Sequence, residues 1–558
     1  MLDSPINSAA THEVANQVPP HHGHNAYHAD TALREAVARE GAGWAEQTLA
    51  DFGTVVASEE VQEWAHQANT YVPELRTHDR WGNRIDQVEF HPSYHALMQV
   101  AFGAGVHAFA WNNPRPGGHV ARATLSYLWN QAENGVGCPT GMAYAAPPVL
   151  SRTPAIGDAW NQAINATEYD PRSLPIGQKT GATIGMTLTE KQGGSDLRAN
   201  LTQARPMTSR HGPGEEYELT GHKWFCSAPM SDAFYVTAYT EAGPTCFLVP
   251  RWRPDGTRNV FQIQRLKDKC GNRSNASAEV EFRGTFGWAL CDEGRGVRTA
   301  IEMAHLTRLD FAVGSAGLMR HALSLALHHA RHRRAFQRAL IDQPVMASVL
   351  ADLALESEAD TALGFRVARA TDESFRNDPQ ARVFERVMTP VAKYWNCKRA
   401  PAFVHEALEC HGGNGFIEEH PMARLYREAP LNGIWEGAGN LIALDVLRAL
   451  RREPDALDAV RDEIALASGG DRRLDQFAGQ LFAEAEDAIR GSDVRARRVA
   501  EMIALAVQAS LLVRFAPPGI ADAFCGSRFE GERSGVYGVL PRGVDAQAIL
   551  RRSFAYAD

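Results

Sequence analysis

Four short segments of the sequence combine residue types that can hold a cofactor and move a proton. Met186 to Asp196 (MTLTEKQGGSD) is rich in hydroxyls and glycine, and Gly221 to Ser227 (GHKWFCS) ends on a hydroxyl after two aromatic rings. The other two are CHGGNGF, starting at Cys410, and IWEGAGN, which contains Glu436. A loop rich in Thr, Ser and Gly offers hydroxyls and close backbone N–H groups to a polar ring edge and a pyrophosphate. No Walker A or GxGxxG motif is present, which disfavours a P-loop or Rossmann site.

The elements that must position these segments change in character along the chain. Residues 1–180 form an arm followed by helical patterns, and residues 181–290 contain short runs rich in Val, Tyr, Phe and Thr that predict a small antiparallel barrel or sandwich. Long helical periods return at 291–445 and predict a helical bundle. A further helical block covers 446–558. We therefore expect these four domains in this order.

Composition is that of an ordinary globular protein. The 558 residues are 44% apolar and 22% charged, which excludes collagenous, coiled-coil and wholly disordered chains. The formal charge of −9 excludes a globally basic nucleic-acid binder but leaves room for a local basic patch. Only seven of the 57 basic residues are lysine. Codon bias in a GC-rich genome and selection for bidentate phosphate contacts both remain open as explanations.

The sequence predicts a cytoplasmic protein without a membrane anchor. Its first 20 residues lack the basic and apolar regions of a secretory signal, and no apolar run approaches the ~18 residues that span a bilayer. The eight cysteines are scattered, as expected for reduced thiols. His21, His22, His24 and His28 fit no standard ligand set, so we expect no metal and a solvated or interface-docked arm.

Together and in this order, the four segments resemble the acyl-CoA dehydrogenase superfamily of flavoproteins, over roughly residues 100–450. The resemblance implies a mostly α, α+β fold with an N-terminal helical domain, a middle β domain and a C-terminal four-helix bundle. The extra C-terminal helical domain follows that core. FAD is the implied cofactor. The positions that match the family's cofactor residues are Met186, Leu188, Thr189, Gly194, Ser195, Phe225, Cys226, Ser227, Arg333, Phe336, Gln343, Gly412, Gly413, Trp435, Gly437 and Asn440.

Two of these matches carry further implications. The family usually has Trp directly before its flavin-contacting hydroxyl segment, whereas this sequence has Phe225 there and Trp224 one step earlier. In the family, the stretch matching Arg333, Phe336 and Gln343 reaches the FAD of a neighbouring subunit, which implies an oligomer. A solvated basic helix end is the alternative interpretation of that stretch.

Glu436 matches the family's catalytic base. The implied reaction needs a carboxylate to remove the α-proton of a thioester, and an apolar pocket would raise the pKa of that carboxylate. Some relatives place the base on another helix, but the corresponding residue here is Thr307, which cannot serve. An inherited, idle carboxylate is the alternative.

The motifs are most similar to the AidB branch of the superfamily, the bacterial alkylation-response flavoproteins. That resemblance implies a homotetramer that binds double-stranded DNA largely without sequence specificity and protects it, or aids its repair, under alkylation stress. It also implies weak acyl-CoA (isovaleryl-CoA-type) dehydrogenase activity. Residues 445–558 hold 16 arginines and 18 carboxylates, so their charge alone is poor support. The predicted phosphate contacts are Arg448, Arg528, Arg551 and Arg552. A metabolic acyl-CoA dehydrogenase with a C-terminal extension, and a scaffold with a relic flavin, remain alternatives.

Overall fold

The computed structural model describes residues 11–530 and 535–553. After an extended arm, the chain folds into a helical region interrupted by one β-hairpin. Asp30 and Ser58 begin two of its helices by accepting backbone N–H groups with their side chains. The helices are α1 Thr31–Arg39, α2 Glu46–Val56, α3 Glu59–Thr70, α4 Pro92–Gly103, α5 Phe109–Asn112, α6 Gly118–Ala132, α7 Gly137–Ala145, α8 Pro147–Leu150 and α9 Pro154–Ile164.

The hairpin corrects one expectation. Strands β1 (Glu74–His78) and β2 (Arg84–Glu89) pair antiparallel in a region that the sequence patterns predicted as helical. Residues 87–89, within that region, belong to β2. An Asp79 side chain that accepts the N–H groups of Trp81 and Asn83 makes the turn between the strands, a local bond that competes with helix formation.

The middle region is a seven-stranded sheet. Strand β7 pairs with both β6 and β9, which closes the sheet into a small barrel. Most pairings are antiparallel, as expected, but β3 and β4 each run parallel to β6. The strands are β3 Ile184–Thr187, β4 Gln203–Pro206, β5 Glu216–Ser227, β6 Ala233–Thr240, β7 Gly243–Pro250, β8 Phe261–Leu266 and β9 Ser277–Ala289.

Long helices follow the barrel and pack against α6, which is buried along its whole length. A two-residue β-hairpin, β10 (Arg334–Ala335) with β11 (Arg338–Ala339), separates the first two long helices. The helices are α10 Gly296–His332, α11 Pro344–Phe375, α12 Pro379–Glu409, α13 Pro421–Glu428 and α14 Gly439–Arg452.

The C-terminal helices share one apolar core with the bundle. Helix α17 is buried on most of its surface and packs against α11, α12 and α14. The continuous core runs from Ala26 in the arm to Leu550 near the end of the described chain. The helices are α15 Ala456–Ala465, α16 Arg472–Arg490, α17 Ala496–Phe515, α18 Pro518–Phe529 and α19 Ala546–Ser553. Among the described residues, no helix is long and apolar enough to cross a bilayer.

Candidate functional site

A buried ion pair holds the hydroxyl-rich loop after β3. The Lys223 ammonium lies 2.8 Å from Glu190 and also donates to the Leu188 carbonyl at 3.3 Å. Burial would raise the pKa of Glu190, but Lys223 and the Leu201 N–H lower it to about 2. The charged pair, with both side chains fully buried, thus fixes the loop from inside the barrel.

The predicted cofactor residues of this loop range from buried to exposed. Met186 is buried and Leu188 and Thr189 are half-buried, whereas Gly194 and Ser195 are exposed. A Cβ on Gly194 would lie 3.1 Å from the Thr189 methyl group, so the loop folds closely on itself. It therefore presents hydroxyls and backbone to an open side of the barrel.

The end of β5 bears the second segment on a β-bulge. The register with β9 shifts between Lys223 and Cys226, which turns both Trp224 and Phe225 out of the core. The Lys267 ammonium lies 3.1 Å from the centre of the Trp224 ring, while Phe225 is 51% exposed. The same ammonium lies 5.0 Å from the centre of the Phe225 ring, and the exposed part of that ring can face a ligand.

Cys226 and Ser227 lie on opposite sides of this strand. The Cys226 side chain is fully buried in the barrel core, so its expected cofactor contact is restricted to its backbone. Ser227 is half-buried, and its hydroxyl lies 3.3 Å from both the Cys138 thiol and the Asn275 amide nitrogen.

Glu436 occupies a strained turn just before α14. Its φ is +53°, in the left-handed region that a residue with a side chain seldom adopts, and such strain clusters at functional sites. The Arg308 guanidinium donates to the Glu436 carbonyl at 3.0 Å, and the Lys393 ammonium donates to the carbonyl of Gly437. Two cations from α10 and α12 therefore hold the turn.

Burial raises the pKa of the Glu436 carboxyl, although Arg308 and Lys393 oppose the shift. Burial also lowers the pKa of Lys393 to about 8. Thr307 is buried and donates its hydroxyl to the Ala304 carbonyl at 3.1 Å, which agrees with its exclusion as a base.

One apolar cluster joins the Glu436 turn to the barrel. Trp435 stacks on Phe311 with ring centres 4.6 Å apart and packs against the cluster that contains Met186, Cys138 and Ala228. Residues of two of the predicted segments, Met186 and Trp435, thus adjoin the same core, and Ala228 directly follows a third segment. This arrangement can hold a planar ring beside a carboxylate.

A second group of predicted cofactor residues lies at the far end of α10. Phe336 sits at the tip of the β10–β11 hairpin and is 91% exposed, with φ of +51°. Gln343 donates to the Ala335 carbonyl at 3.0 Å, and the Arg333 guanidinium donates to the carbonyl of Asn16 in the arm. Gly412 and Gly413 are exposed on a neighbouring turn.

The distance along α10 separates the two groups. Arg308, which contacts the Glu436 turn, and His332, at the base of the hairpin, are 24 residues apart on one helix, or about 36 Å at 1.5 Å per residue. That length exceeds one FAD molecule. The hairpin and the Glu436 turn of one chain therefore cannot contact the same FAD.

The arm is docked rather than solvated. His21 stacks on His24 and on His328 of α10, and it hydrogen-bonds Ser324 at 2.7 Å. Asn16 pairs with the backbone N–H and carbonyl of Arg334 at 2.9 Å each. No group of histidines, cysteines and carboxylates within residues 11–530 and 535–553 is arranged to hold a metal ion.

The C-terminal arginines correct part of the expectation about DNA. Arg528 pairs with Asp352 at 2.8 Å and Glu356 at 2.9 Å, and Arg552 pairs with Glu35 and Glu358, each with only 14% of its side chain exposed. These two guanidinium groups bind other helices of the chain, and they are not available to phosphates. Arg448 and Arg551 keep 47% and 70% of their side chains exposed.

Asn440 takes part in an unexpected contact. Its side-chain oxygen accepts from the Arg497 guanidinium of α17 at 2.8 Å. The C-terminal helices therefore touch the start of α14, four residues after Glu436. The predicted contact of Asn440 with a cofactor remains a prediction.

Sequence reasoning missed the cations that hold the site. Lys223, Lys269 and Lys393 each donate to backbone carbonyls around the predicted cofactor residues or the Glu436 turn. The rarity of lysine in this sequence is the signal that could have pointed to these three residues. In a chain that uses arginine for 50 of its 57 cations, a retained lysine indicates a place where a compact ammonium is required.

Comparison with known proteins shows the general class of protein to which this chain belongs. Residues 185–285 match the acyl-CoA dehydrogenase middle domain, and residues 294–451 match the acyl-CoA dehydrogenase C-terminal domain. The fold confirms this class. ACDH-11 of Caenorhabditis elegans, solved in complex with C11-CoA, superposes with a TM-score of 0.84 over 96% of both chains at 25% identity. An acyl-CoA dehydrogenase of Bacillus anthracis, solved with FAD, shares the fold at a TM-score of 0.61, covering 83% of this chain and 80% of its own.

The particular branch follows from the N-terminal region. Residues 16–171 match the adaptive response protein AidB N-terminal domain. AidB of Escherichia coli (strain K12) is 44% identical over 92% of this chain and 94% of its own length. The chain belongs to the AidB family of acyl-CoA dehydrogenase-type flavoproteins.

Proposed function

We propose that this protein binds FAD and oxidises an acyl-CoA thioester, with Glu436 as the base. The observation that carries the proposal is the strained turn at Glu436, where Trp435 packs against the apolar cluster of Met186 and the Glu436 charge acts on the pKa of the Cys138 thiol in that cluster. A carboxylate with a raised pKa is suited to remove a proton near neutral pH.

The residues present fit a flavin. Phe225 offers an open ring, Ser227 a half-buried hydroxyl, and the 188–195 loop further hydroxyls and backbone N–H groups. Within the described residues, the buried side-chain oxygen of Asn275, next to Ser227, has no hydrogen-bond partner. A buried polar atom without a partner is expected where a polar ligand binds. FAD, when bound, supplies the acceptor for the hydride from the β-carbon.

The chain's own groups perform the proton chemistry. Glu436 takes the α-proton, while Arg308 and Lys393 keep its turn in place through the carbonyls of Glu436 and Gly437. The apolar cluster around Trp435 excludes water from the reacting carbon.

Anaerobic mixing with acyl-CoA tests this proposal. The FAD-loaded protein should lose its visible flavin absorbance with at least one thioester of a series from short to long and branched chains, including isovaleryl-CoA. Free CoA is the control and should leave the absorbance unchanged. A protein that takes up FAD but keeps its colour with the whole series would contradict the proposal.

The hairpin supports an oligomer, which the family resemblance gives as a homotetramer. Because Arg308, which holds the Glu436 turn, and His332, at the base of the hairpin, lie about 36 Å apart along α10, we expect Arg333 and Phe336 to serve a flavin in a neighbouring subunit. Light scattering should show a tetramer. Phe336→Ser should weaken both assembly and FAD binding, and a monomeric wild type with full FAD affinity would refute this arrangement.

We propose, as a second function, that the protein binds duplex DNA during the cell's response to DNA alkylation. One observation favours it: the single carboxylate of Asp445 is shared by Arg308 at 2.8 Å, Arg386 at 2.9 Å and Arg448 at 3.5 Å. Arg308 is buried and also faces Glu436, whereas Arg386 and Arg448 keep 31% and 47% of their side chains exposed. Arg452 continues the exposed face of α14 one turn further on. Clustered cations release counterions from DNA phosphates.

Retardation of a random-sequence duplex at several salt concentrations tests the second function. Affinity should fall steeply with salt and be independent of sequence. Arg448→Ala/Arg452→Ala should weaken it. Arg461→Ala is the matched control, because that arginine is paired with Asp458 and Glu486. Binding that is absent at low salt would exclude this function and leave the oxidoreductase proposal standing.

A further inference from the structure

A buried network lies directly behind the Ser227 hydroxyl. Its central member is Lys269, on the 267–276 loop between β8 and β9. The Lys269 ammonium donates to the Asn275 carbonyl at 2.6 Å, the Ser277 hydroxyl at 3.0 Å and the Asn272 side-chain oxygen at 3.3 Å. An ammonium has three N–H donors, so all three are used and the charge is fixed in place.

The loop that carries Lys269 is anchored on both sides. Ser274 donates to the buried carboxylate of Glu133 at 2.7 Å, and the Asn272 N–H donates to Glu428 of α13 at 2.6 Å. A Cβ on Gly135 would collide with the Ser274 hydroxyl, and one on Gly271 with the Arg427 carbonyl. The loop therefore has little freedom to move Lys269 away from the barrel.

Counting donors orients the Ser227 hydroxyl. Its oxygen has two lone pairs and one proton. The Cys138 thiol and the Asn275 amide each donate to that oxygen from 3.3 Å, which fills the lone pairs. The Ser277 hydroxyl lies 3.5 Å away, beyond the usual length of an O–H···O hydrogen bond. The Ser227 proton is thus left for an acceptor on the open side of the strand.

We propose that Lys269, by holding Asn275 through its backbone carbonyl, makes Ser227 a hydrogen-bond donor to the bound flavin and stabilises the negative charge that the flavin gains on reduction. The proposal rests on the FAD site proposed above. A hydride carries two electrons and one proton, so its arrival adds one negative charge to the ring system. A half-buried cation fixed behind the hydroxyl that contacts the flavin favours that charge.

Lys269 acts as a positioning residue, since Ser227 and not the ammonium contacts the cofactor. Burial lowers the pKa of Lys269 to about 8, with Cys138, Glu428 and Glu133 opposing the shift, so the group is mostly charged at pH 7. Lys267, two residues earlier, makes a different set of contacts. Its ammonium pairs with Glu279 at 2.6 Å and covers the Trp224 ring.

The two lysines give a matched pair of variants. For wild type, Lys269→Met and Lys267→Met, the dissociation constant of FAD is measured by fluorescence and the two-electron midpoint potential by anaerobic dye equilibration at pH 7. Lys269→Met should weaken binding of the reduced relative to the oxidised cofactor at least tenfold, equal to a fall of about 30 mV in midpoint potential. Lys267→Met should stay within twofold of wild type.

A third variant keeps the proposal testable if Lys269→Met does not fold. Asn275→Leu retains the ammonium but removes the amide that donates to Ser227, and it should weaken reduced-state binding about threefold. A midpoint potential in Lys269→Met equal to wild type, or an equal fall in Lys267→Met, would overturn the proposal. A wild type that takes up no FAD at all would instead refute the proposed function.

Discussion

Two buried polar networks of similar composition end in different places. The network behind Ser227 finishes on a half-buried hydroxyl with a proton to donate. The network around Arg528 closes within the fold: Arg528 binds Asp352 and Glu356, and Arg399 binds Glu356 and the Tyr537 hydroxyl. The first network can serve a ligand, whereas the second joins the C-terminal helices to the bundle. The sequence alone therefore does not show whether a charged side chain faces a partner or the protein core.

Removing the proposed base should give the largest effect on the ligand-facing region. Glu436→Gln keeps the size of the side chain but cannot accept the α-proton, so flavin bleaching by acyl-CoA should slow by about 10²–10⁴-fold. Stopped-flow absorbance at equal FAD content measures the rate. Because burial raises the pKa of Glu436 above its ordinary 4.5, the wild-type rate should fall as the pH decreases through that raised value. A variant as fast as wild type would make Glu436 an idle carboxylate.

Breaking the closed network should cost stability. Arg528→Met leaves Asp352 and Glu356 with a missing partner in a buried site, and the free energy of unfolding should fall by about 3–5 kcal/mol. Denaturant titration measures it. Arg551→Met is the control, because its side chain is 70% exposed and the change should stay within about 0.5 kcal/mol. Equal losses in the two variants would contradict the contrast between the networks.

Acid should release the arm before it affects the rest of the fold. Burial lowers the pKa of His24 to about 4, below the ordinary 6.5, and it also lowers the pKa of His21, so these rings are neutral when docked. The released state binds more protons, and the stabilisation present above pH 6.5 is lost as the pH falls from 6.5 towards 4. Arg320 and the neighbouring His21 and His328 add repulsion once His24 is charged.

Hydrogen exchange of the arm checks this prediction. Protection of the Gly23 and Ala26 amides, which bond to Ala57 and Gly53, should decrease between pH 7 and pH 5 after correction for intrinsic exchange. His24→Phe keeps a ring in the stack but cannot be protonated, so it should reduce the pH dependence. Protection that is constant over this range would contradict the assignment.

The smallest effect is expected at the arginines proposed to bind DNA. Arg448→Ala removes one cation from the Asp445 cluster, and the slope of log affinity against log salt should decrease in magnitude by about 0.9. Arg528→Met, in the closed network, should leave the slope unchanged. A larger change of the salt slope in Arg528→Met than in Arg448→Ala would contradict the assignment of Arg448 to DNA binding and of Arg528 to the fold.

The sequence motifs predicted the order of the regions and the confirmed family, because ordered motifs and helical periods are local properties. Local patterns could not show that Arg528 and Arg552 pair with residues 172 or more positions away, or that Cys226 points into the barrel core. The β1–β2 hairpin was missed because its turn depends on Asp79. Lys269 and Lys393 carried a signal, their rarity, but only the fold shows which atoms they contact.

Exchange of the substrate's α-proton tests the central claim most directly. The FAD-loaded protein is incubated anaerobically with an acyl-CoA in D₂O, and the α-carbon is analysed by mass spectrometry. The account predicts deuterium at the α-carbon with wild type and with Lys267→Met, and none above background with Glu436→Gln. Equal exchange in wild type and Glu436→Gln would show that another group removes the proton and would contradict the assignment of Glu436.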